Sequence, residues 1–221
     1  MANRHFVRRI LELLDKLRTV TVVGAFRCGT NYLAKLLFDN TRLTVRYDTF
    51  GWKHGPLSAE GRKPFPGTMA HRIISVSKDP FSFLVSFHSY VRKQQRNVQV
   101  ADDWETFVTS PIVIFNQGTA GSVRFCFASP VAYWNFINSH HLLLPQATFR
   151  LSLIRYDDLL RDTPGTVRRL FDEQAIRPKT KILIRPQSCV ASDRPLIAQR
   201  RSGGQGFRSV CASVAQLYAP F

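Results

Sequence analysis

A short loop framed by Gly24 and Gly29 has the make-up of a phosphate-binding loop. It follows a β-branched run and precedes residues that are apolar at helical spacing. Glycine lets the backbone curl, so that successive N–H groups and the next helix N-terminus point at one anion. A Walker A loop would continue with Lys and Ser or Thr, but Thr30 and Asn31 follow here. With Arg27 inside it, the loop predicts an anion site unlike the usual Mg-ATP site.

A second pair of polar side chains consists of Lys78 and Ser86, eight residues apart. Lys78 ends a predicted strand, and the Asp79-Pro80 step after it favours a helix start, with Asp as the cap and Pro in the first turn. Ser86 then falls about two turns into that helix. Such a cation and hydroxyl can hold a phosphate, although a helical Ser commonly bonds its own backbone.

A third pair, Lys53 and His54, lies between the first two in a stretch rich in Gly and Pro. Histidine can take up a proton near neutral pH, and lysine can hold an anionic substrate or a developing charge. A histidine in a loop is more often a surface residue, so this pair is the weakest of the three when taken alone.

The hydrophobic periodicity predicts the elements that position these residues. Buried strands are expected at 19–24 and 72–77, and further strands at 42–47 and 148–155. Helices are expected at 31–38, 79–93, 102–108 with Asp102 as cap, 122–138 and 157–173. This alternation predicts one α/β domain over 1–221, with three α/β/α layers and a central parallel sheet. Residues 1–18 are expected to form an amphipathic helix, and 177–221 a basic flap or tail.

The chain carries 31 Lys and Arg against 15 Asp and Glu, a formal net charge of +16. Such an excess favours a polyanionic partner: nucleic acid, a membrane surface, an acidic glycan or a nucleotide with several phosphates. The apolar runs are shorter than the roughly 20 residues of a membrane span, and no secretory signal is evident. The four cysteines lack zinc-site spacing, so we expect a cytoplasmic protein without a metal.

Taken together, these motifs resemble the sulfotransferase family that uses 3′-phosphoadenosine 5′-phosphosulfate (PAPS). Arg27-Cys28-Gly29-Thr30-Asn31-Tyr32 is similar to the family's 5′-phosphosulfate loop. The strand ending in Lys78-Asp79-Pro80, with Ser86 at its spacing, is similar to the 3′-phosphate motif. Lys53-His54 is similar to the segment that holds the catalytic base. The stretch 154–162 looks like a strand–helix junction of the family, which would bring Tyr156 near the nucleotide.

Several positions depart from the family pattern. Lys78 stands where Arg is usual, which keeps the charge but loses the bidentate fork. Cys28 replaces Ser, Asn31 replaces a second hydroxyl residue, and His54 follows Lys53 directly, without the intervening residue of cytosolic members. A late segment with Arg200 and Arg201 is similar to the basic glycine loop that closes over the 3′-phosphate.

The resemblance implies a P-loop NTPase-like sulfotransferase fold and transfer of a sulfuryl group from PAPS to an acceptor hydroxyl or amine, such as that of a glycan or small molecule. It implies catalytic roles for Arg27, Lys53 and His54. It also implies a PAPS site made of the residues Arg27, Cys28, Gly29, Thr30, Asn31, Tyr32, Lys78, Ser86, Tyr156, Arg200 and Arg201. No metal and no nucleic acid are expected. Two alternatives stay open: a degenerate P-loop kinase or hydrolase, and a basic nucleic-acid-binding protein.

Overall fold

A computed structural model describes residues 18–58, 70–93, 98–116, 123–144 and 148–179 of the chain. Its elements in chain order are β1 (Thr19–Val23), α1 (Thr30–Asn40), β2 (Thr44–Arg46), β3 (His71–Ser77), α2 (Pro80–Lys93), β4 (Val98–Gln99), α3 (Trp104–Thr109), β5 (Ile112–Asn116), β6 (Val123–Phe127), α4 (Pro130–Leu142), β7 (Phe149–Arg155), α5 (Tyr156–Arg161) and α6 (Thr163–Glu173). Nearly all of the predicted 1–18 helix and 177–221 tail lies outside the described residues.

The chain divides into two compact units. Of the described residues, the first unit takes those up to Asp79 and those from Ile137 onward, and the second takes those within Pro80–Phe136. Within the described part of the chain, every helix is too short or too polar to cross a bilayer.

The first unit holds the predicted parallel sheet, with four strands in the order β2-β1-β3-β7. β3 pairs with β7 over seven residues, and β1 pairs with β2 on one side and β3 on the other, all in parallel. The β-branched composition of β1 and β3 suits strands that are covered on both faces. The prediction of an α/β protein built on a parallel sheet is thus confirmed.

Alternating side chains of this sheet reach two separate apolar clusters, because successive residues of a strand face opposite sides. Val22, Ile74 and Ile154 pack in one cluster with buried leucines and other apolar residues of α1 and α6. Val23 and Ile73 belong to the other cluster, with Phe50, Leu57, Leu144 and Phe149. Cover on both faces is consistent with a three-layer α/β/α arrangement.

The second unit contains an antiparallel sheet that the sequence did not predict, with strands in the order β4-β5-β6. Buried aromatic rings form its interior, with centroids 5.2–6.2 Å apart among Phe83, Phe87, Phe107 and Tyr133. Phe83 and Phe87 lie on one face of α2, together with Leu84 and Val91. The opposite face of α2 therefore carries side chains outside this core.

The helix predicted at 122–138 is wrong in its first part, which forms strand β6. The aromatic spacing of this segment suggested a helix, but pairing with β5 overrides that local pattern. The helix begins only at Pro130, where the hydroxyl of Ser129 accepts the backbone N–H of Ala132 at 3.1 Å. Proline fits this first position because it has no N–H to place.

Two other helix boundaries also differ from prediction. The cap of α3 is Asp103 rather than Asp102, and its carboxylate accepts the Thr106 N–H at 2.8 Å. The helix predicted at 157–173 is two helices, because Asp162 leaves helical geometry and caps α6 by accepting the Gly165 N–H at 2.9 Å. Pro164 in the first turn of α6 fixes this new start.

Candidate functional site

The carboxyl ends of β1, β3 and β7 bring three distant sequence segments to one edge of the parallel sheet. The chain leaves β1 for β2 on one side and later enters β3 on the other, so the order reverses between β1 and β3. Ligands of open parallel sheets bind outside the strand ends at such a switch point. Gly24 follows β1, Lys78 follows β3 and Tyr156 follows β7.

The loop after β1 has the curled backbone conformation that its glycines predict. A Cβ on Gly24 would overlap the carbonyl oxygen of Val76, so the loop passes against β3. Arg27 adopts φ 60° and Gly29 φ 90°, two left-handed residues that turn the chain into α1. Gly29 is the N-cap of α1 and offers no side chain to the first N–H groups of the helix. That helix start has the geometry and dipole direction suited to an anion.

The ring of Tyr156 packs against the turn at Gly29. A Cβ on Gly29 would overlap the Tyr156 ring, and the ring is 96% buried by its neighbours. Burial raises the pKa of the Tyr156 hydroxyl, so that it stays protonated at neutral pH. The ammonium of Lys78 lies 5.3 Å from the centroid of the same ring. Tyr156 therefore supports the loop and Lys78 together.

Lys78 and Lys53 are both partly desolvated cations. Burial lowers the pKa of Lys78, although the charge of Asp79 opposes the shift. Burial also lowers the pKa of Lys53, although Asp48 opposes the shift. An ammonium group with few water neighbours gains more from an incoming anion than one that is fully hydrated.

Lys53 reaches the start of α1. Its Nζ donates to Oδ1 of Asn31 at 3.0 Å and lies 4.3 Å from the centroid of the Tyr47 ring. Its carbonyl oxygen accepts the Gly24 N–H at 3.0 Å, and its own N–H donates to Asp48 at 3.2 Å. The two motifs that the sequence separates are therefore joined by direct contacts.

His54 is held against the loop by its ring. The Nδ1–H of His54 donates to the carbonyl oxygen of Gly24 at 2.7 Å, since that oxygen can only accept. The ring stacks on Phe26, with centroids 4.4 Å apart. Burial and the nearby charge of Lys53 lower the pKa of His54 to about 3. The imidazole is therefore neutral at pH 7 and only weakly basic, and its hydrogen bond positions Gly24.

The Cys28 side chain packs in the interior of the protein and does not reach the exposed side of the loop. It is fully buried, and burial raises the pKa of its thiol to about 12, so no thiolate forms at physiological pH. Its backbone N–H donates to the carbonyl of Ala25 at a long 3.4 Å, and a role of this N–H in binding a phosphosulfate stays a prediction. Thr30 and Tyr32 are also buried, Tyr32 within the apolar cluster beside α1. In this motif, the side chains of Arg27 and Asn31 are exposed to solvent.

Three predicted residues are not placed with this cluster. Ser86 belongs to the second unit, and its hydroxyl donates to the carbonyl of Ser82 one turn earlier at 2.7 Å. Its role in holding a phosphate stays a prediction. Arg200 and Arg201 lie outside the described residues.

Two adjacent histidines that the sequence analysis did not single out also support the site. His141 is fully buried, and its Nδ1 shares a 2.7 Å hydrogen bond with the Ser75 hydroxyl in β3. Burial lowers the pKa of His141 to about 4. His140 Nε2 lies 2.9 Å from both the backbone nitrogen and the carbonyl oxygen of Leu57. These bonds tie the loop that carries Lys53 to α4, and no local pattern could reveal them.

This geometry can hold a compact polyanion between a helix N-terminus and several cations. Among the described residues, no group of three or more His, Cys, Asp or Glu side chains could hold a metal ion. No protein-family model, curated protein or solved structure matches the chain.

Proposed function

We propose that this protein is a sulfotransferase that moves a sulfuryl group from PAPS to a hydroxyl or amine of an acceptor. One observation carries the proposal: Lys53, Lys78 and the glycine-capped start of α1 lie at the switch point of the sheet, joined through Asn31 and Tyr156. These are the segments on which the family resemblance depends. The sulfotransferase version of the P-loop fold is part of the same proposal.

In the proposed reaction, the acceptor oxygen or nitrogen attacks sulfur in line with the bond to the 5′-phosphate. The new bond to sulfur forms as the sulfur–oxygen bond to phosphate breaks, and the electron pair stays on the phosphate oxygen. Catalysis then depends on positioning and on neutralising the charge that grows on that oxygen. Arg27, Lys53 and the first N–H groups of α1 are the donors for this charge.

The donor carries a second phosphate on its 3′ oxygen, which ADP lacks. Lys78 is the cation assigned to it, because Lys78 directly follows β3 and is already partly desolvated beside Tyr156. A lysine provides a point charge rather than a fork, so the preference for the 3′-phosphate depends on charge more than on bidentate geometry.

The proton of the acceptor passes to His54 in this proposal. His54 is neutral down to about pH 4, so its basic form is present throughout the physiological range. Its low basicity means that proton transfer must follow most of the bond formation between the acceptor atom and sulfur, because that bond makes the acceptor proton strongly acidic. The hydrogen bond to Gly24 fixes which ring nitrogen carries the proton before the reaction.

Calorimetric titration without Mg²⁺ tests the donor site. The wild-type protein should bind 3′-phosphoadenosine 5′-phosphate at least about tenfold more tightly than its isomer ADP, because only the former places its second phosphate on the 3′ oxygen, within reach of a dedicated charge contact. Lys78→Met should remove that preference, and Arg27→Met should weaken both nucleotides. Arg42→Met is the matched control, because this exposed arginine lies beyond the other end of α1.

Equal affinity for the two nucleotides would overturn the proposal. Binding that requires Mg²⁺ and favours ATP would support the kinase or hydrolase alternative instead. A protein that passes the binding test should then transfer labelled sulfate from PAPS to a panel of hydroxyl and amine acceptors, and Lys53→Met should slow transfer by about 10²–10³.

A further inference from the structure

The second unit presents a mixed basic and aromatic surface on the outer face of α2, which we call the α2–α3 patch. Phe81, Val85, His88 and Arg92 follow one another at steps of four, three and four residues, and Ser89 lies four residues after Val85, so all five share one side of the helix. Lys93 and Trp104, the first residue of α3, complete the patch. The opposite side of α2 packs in the aromatic interior of the unit.

A concave site of about 560 Å³ lies within this patch, lined by Val85, His88, Ser89, Arg92, Lys93 and Trp104. Its size falls in the range of small-molecule and headgroup sites. The lining includes two full cations, a hydroxyl, an imidazole and an indole, and no carboxylate. The Nε2 of His88 forms a 2.7 Å hydrogen bond with the carbonyl oxygen of Asp102. The His88 ring packs edge-on against the Trp104 ring, with centroids 5.3 Å apart.

The two full cations of the patch, Arg92 and Lys93, have no acidic ion-pair partner within the described residues, whereas His88 lies close enough to Asp103 for their charges to interact. No ion pair joins Arg92 or Lys93 to a described carboxylate, and Asp103, next to Trp104, caps its own helix through Thr106. The positive charge of the patch is therefore available to an external anion.

The apolar members of the patch are unusually exposed. Phe81 is 80% exposed, Val85 61% and Trp104 42%. Among the described residues of the second unit only four large apolar side chains are exposed, and three of them are in this patch; the fourth is Val131. Exposed aromatic and aliphatic side chains that cluster beside cations mark a surface that meets something both apolar and anionic.

We propose that the α2–α3 patch docks the protein onto an anionic phospholipid membrane. Arg92 and Lys93 would bind lipid phosphates in the concave site, while Phe81, Val85 and Trp104 would enter the boundary between headgroups and acyl chains. Tryptophan suits this depth because its ring is apolar and its N–H is polar. A water-soluble acidic glycan could occupy the cations but would leave Phe81 and Val85 in water. This inference is independent of the proposed sulfotransferase activity.

Vesicle sedimentation tests the electrostatic part. The full chain should bind vesicles of phosphatidylserine and phosphatidylcholine, but not phosphatidylcholine alone. Arg92→Gln with Lys93→Gln should weaken binding by about 30-fold, at about fivefold per cation near an anionic surface. Arg168→Gln with Arg169→Gln removes the same charge from exposed positions of α6 and should have a much smaller effect. Equal losses in both double variants would overturn the proposal.

Brominated acyl chains test insertion directly, because bromine quenches an indole only at close range. Quenching of the wild-type protein should disappear in Trp104→Phe, which leaves Trp52 and Trp134 in place. A thermal melt checks that each variant remains folded. Persistent quenching in Trp104→Phe would contradict docking through this patch. Binding of a soluble sulfated oligosaccharide that depends on Arg92 and Lys93, without vesicle binding, would assign the patch to glycans and overturn the membrane proposal.

Discussion

The ring of Tyr156 occupies the space in which a β-carbon on Gly29 would have to lie. Tyr156 follows the last strand of the parallel sheet, and Gly29 caps the first helix, so this contact joins two ends of the first unit. Glycine at this position thus meets two requirements, a φ of 90° and the absence of a side chain. The same ring lies beside Lys78, which makes Tyr156 the common support of the Gly29 turn and Lys78 in the candidate site.

Gly29→Ala should therefore destabilise the protein and nearly abolish nucleotide binding. The left-handed φ alone costs an alanine about 1 kcal/mol, and the overlap with the ring adds to it. In a Tyr156→Ala background the overlap is gone, so the same substitution should cost only the backbone part. Urea unfolding of the four proteins measures both costs. An identical loss of stability in both backgrounds would show that the ring is not the obstacle.

His54→Asn separates the two roles of His54. An asparagine amide can still donate to the Gly24 carbonyl, but it cannot accept the acceptor's proton. We expect nucleotide affinity to stay within about threefold of wild type, because the loop is still held, while sulfuryl transfer falls by about 10²–10⁴. Calorimetry and a transfer assay measure the two effects. Unchanged transfer would remove His54 from the chemistry and leave it a positioning residue.

The wild-type rate should be flat from about pH 5 to pH 8 if His54 is the base, because burial lowers its pKa to about 3. A histidine with the ordinary value of about 6.5 would instead lose activity below neutrality. The profile of kcat/KM with a saturating donor distinguishes the two cases. An acidic limb near pH 6.5 would identify a different, more exposed base.

Acid should destabilise the first unit through His141. The unfolded imidazole takes up a proton below about pH 6.5, but the buried one does so only near pH 4. Protons therefore favour the unfolded chain between these values, and stability is lost as the pH falls through this window. At pH 5 the loss from this group is about 2 kcal/mol relative to pH 7. His141→Gln should show a shallower decline in urea unfolding, and an unchanged slope would contradict the assignment.

Cys28 should resist alkylation in the folded protein. Its thiol is fully buried with a pKa raised to about 12, whereas Cys126 is exposed. Iodoacetamide at pH 8 followed by peptide mass spectrometry should modify Cys126 at least about 100-fold faster than Cys28, with the two rates converging in urea. Rapid modification of Cys28 under native conditions would mean that the loop opens, and would contradict the closed packing described above.

The elements nearest the site follow from local patterns. β1 and β3 were predictable because a continuous β-branched run indicates a buried strand without knowledge of the strands it pairs with. The start of α2 was predictable because the Asp-Pro step marks it. The prediction of secondary structure failed where pairing with a distant strand decides the conformation. β6 has aromatic spacing that suits a helix, and only its neighbour β5 makes it a strand. The cap at Asp103 rather than Asp102 depended on which carboxylate reaches an N–H.

The residue types and their order along the chain determined by themselves that a glycine-framed loop follows the first strand and that Lys53 and Lys78 come later. Only the tertiary structure decided that Lys53 bonds Asn31, that Tyr156 fills the space beside Gly29, and that His54 donates to Gly24. It also decided the low pKa of His54 and the protonated state of Cys28. The physical reason is that desolvation and long-range contacts depend on what packs around a group, and the local sequence does not contain that information.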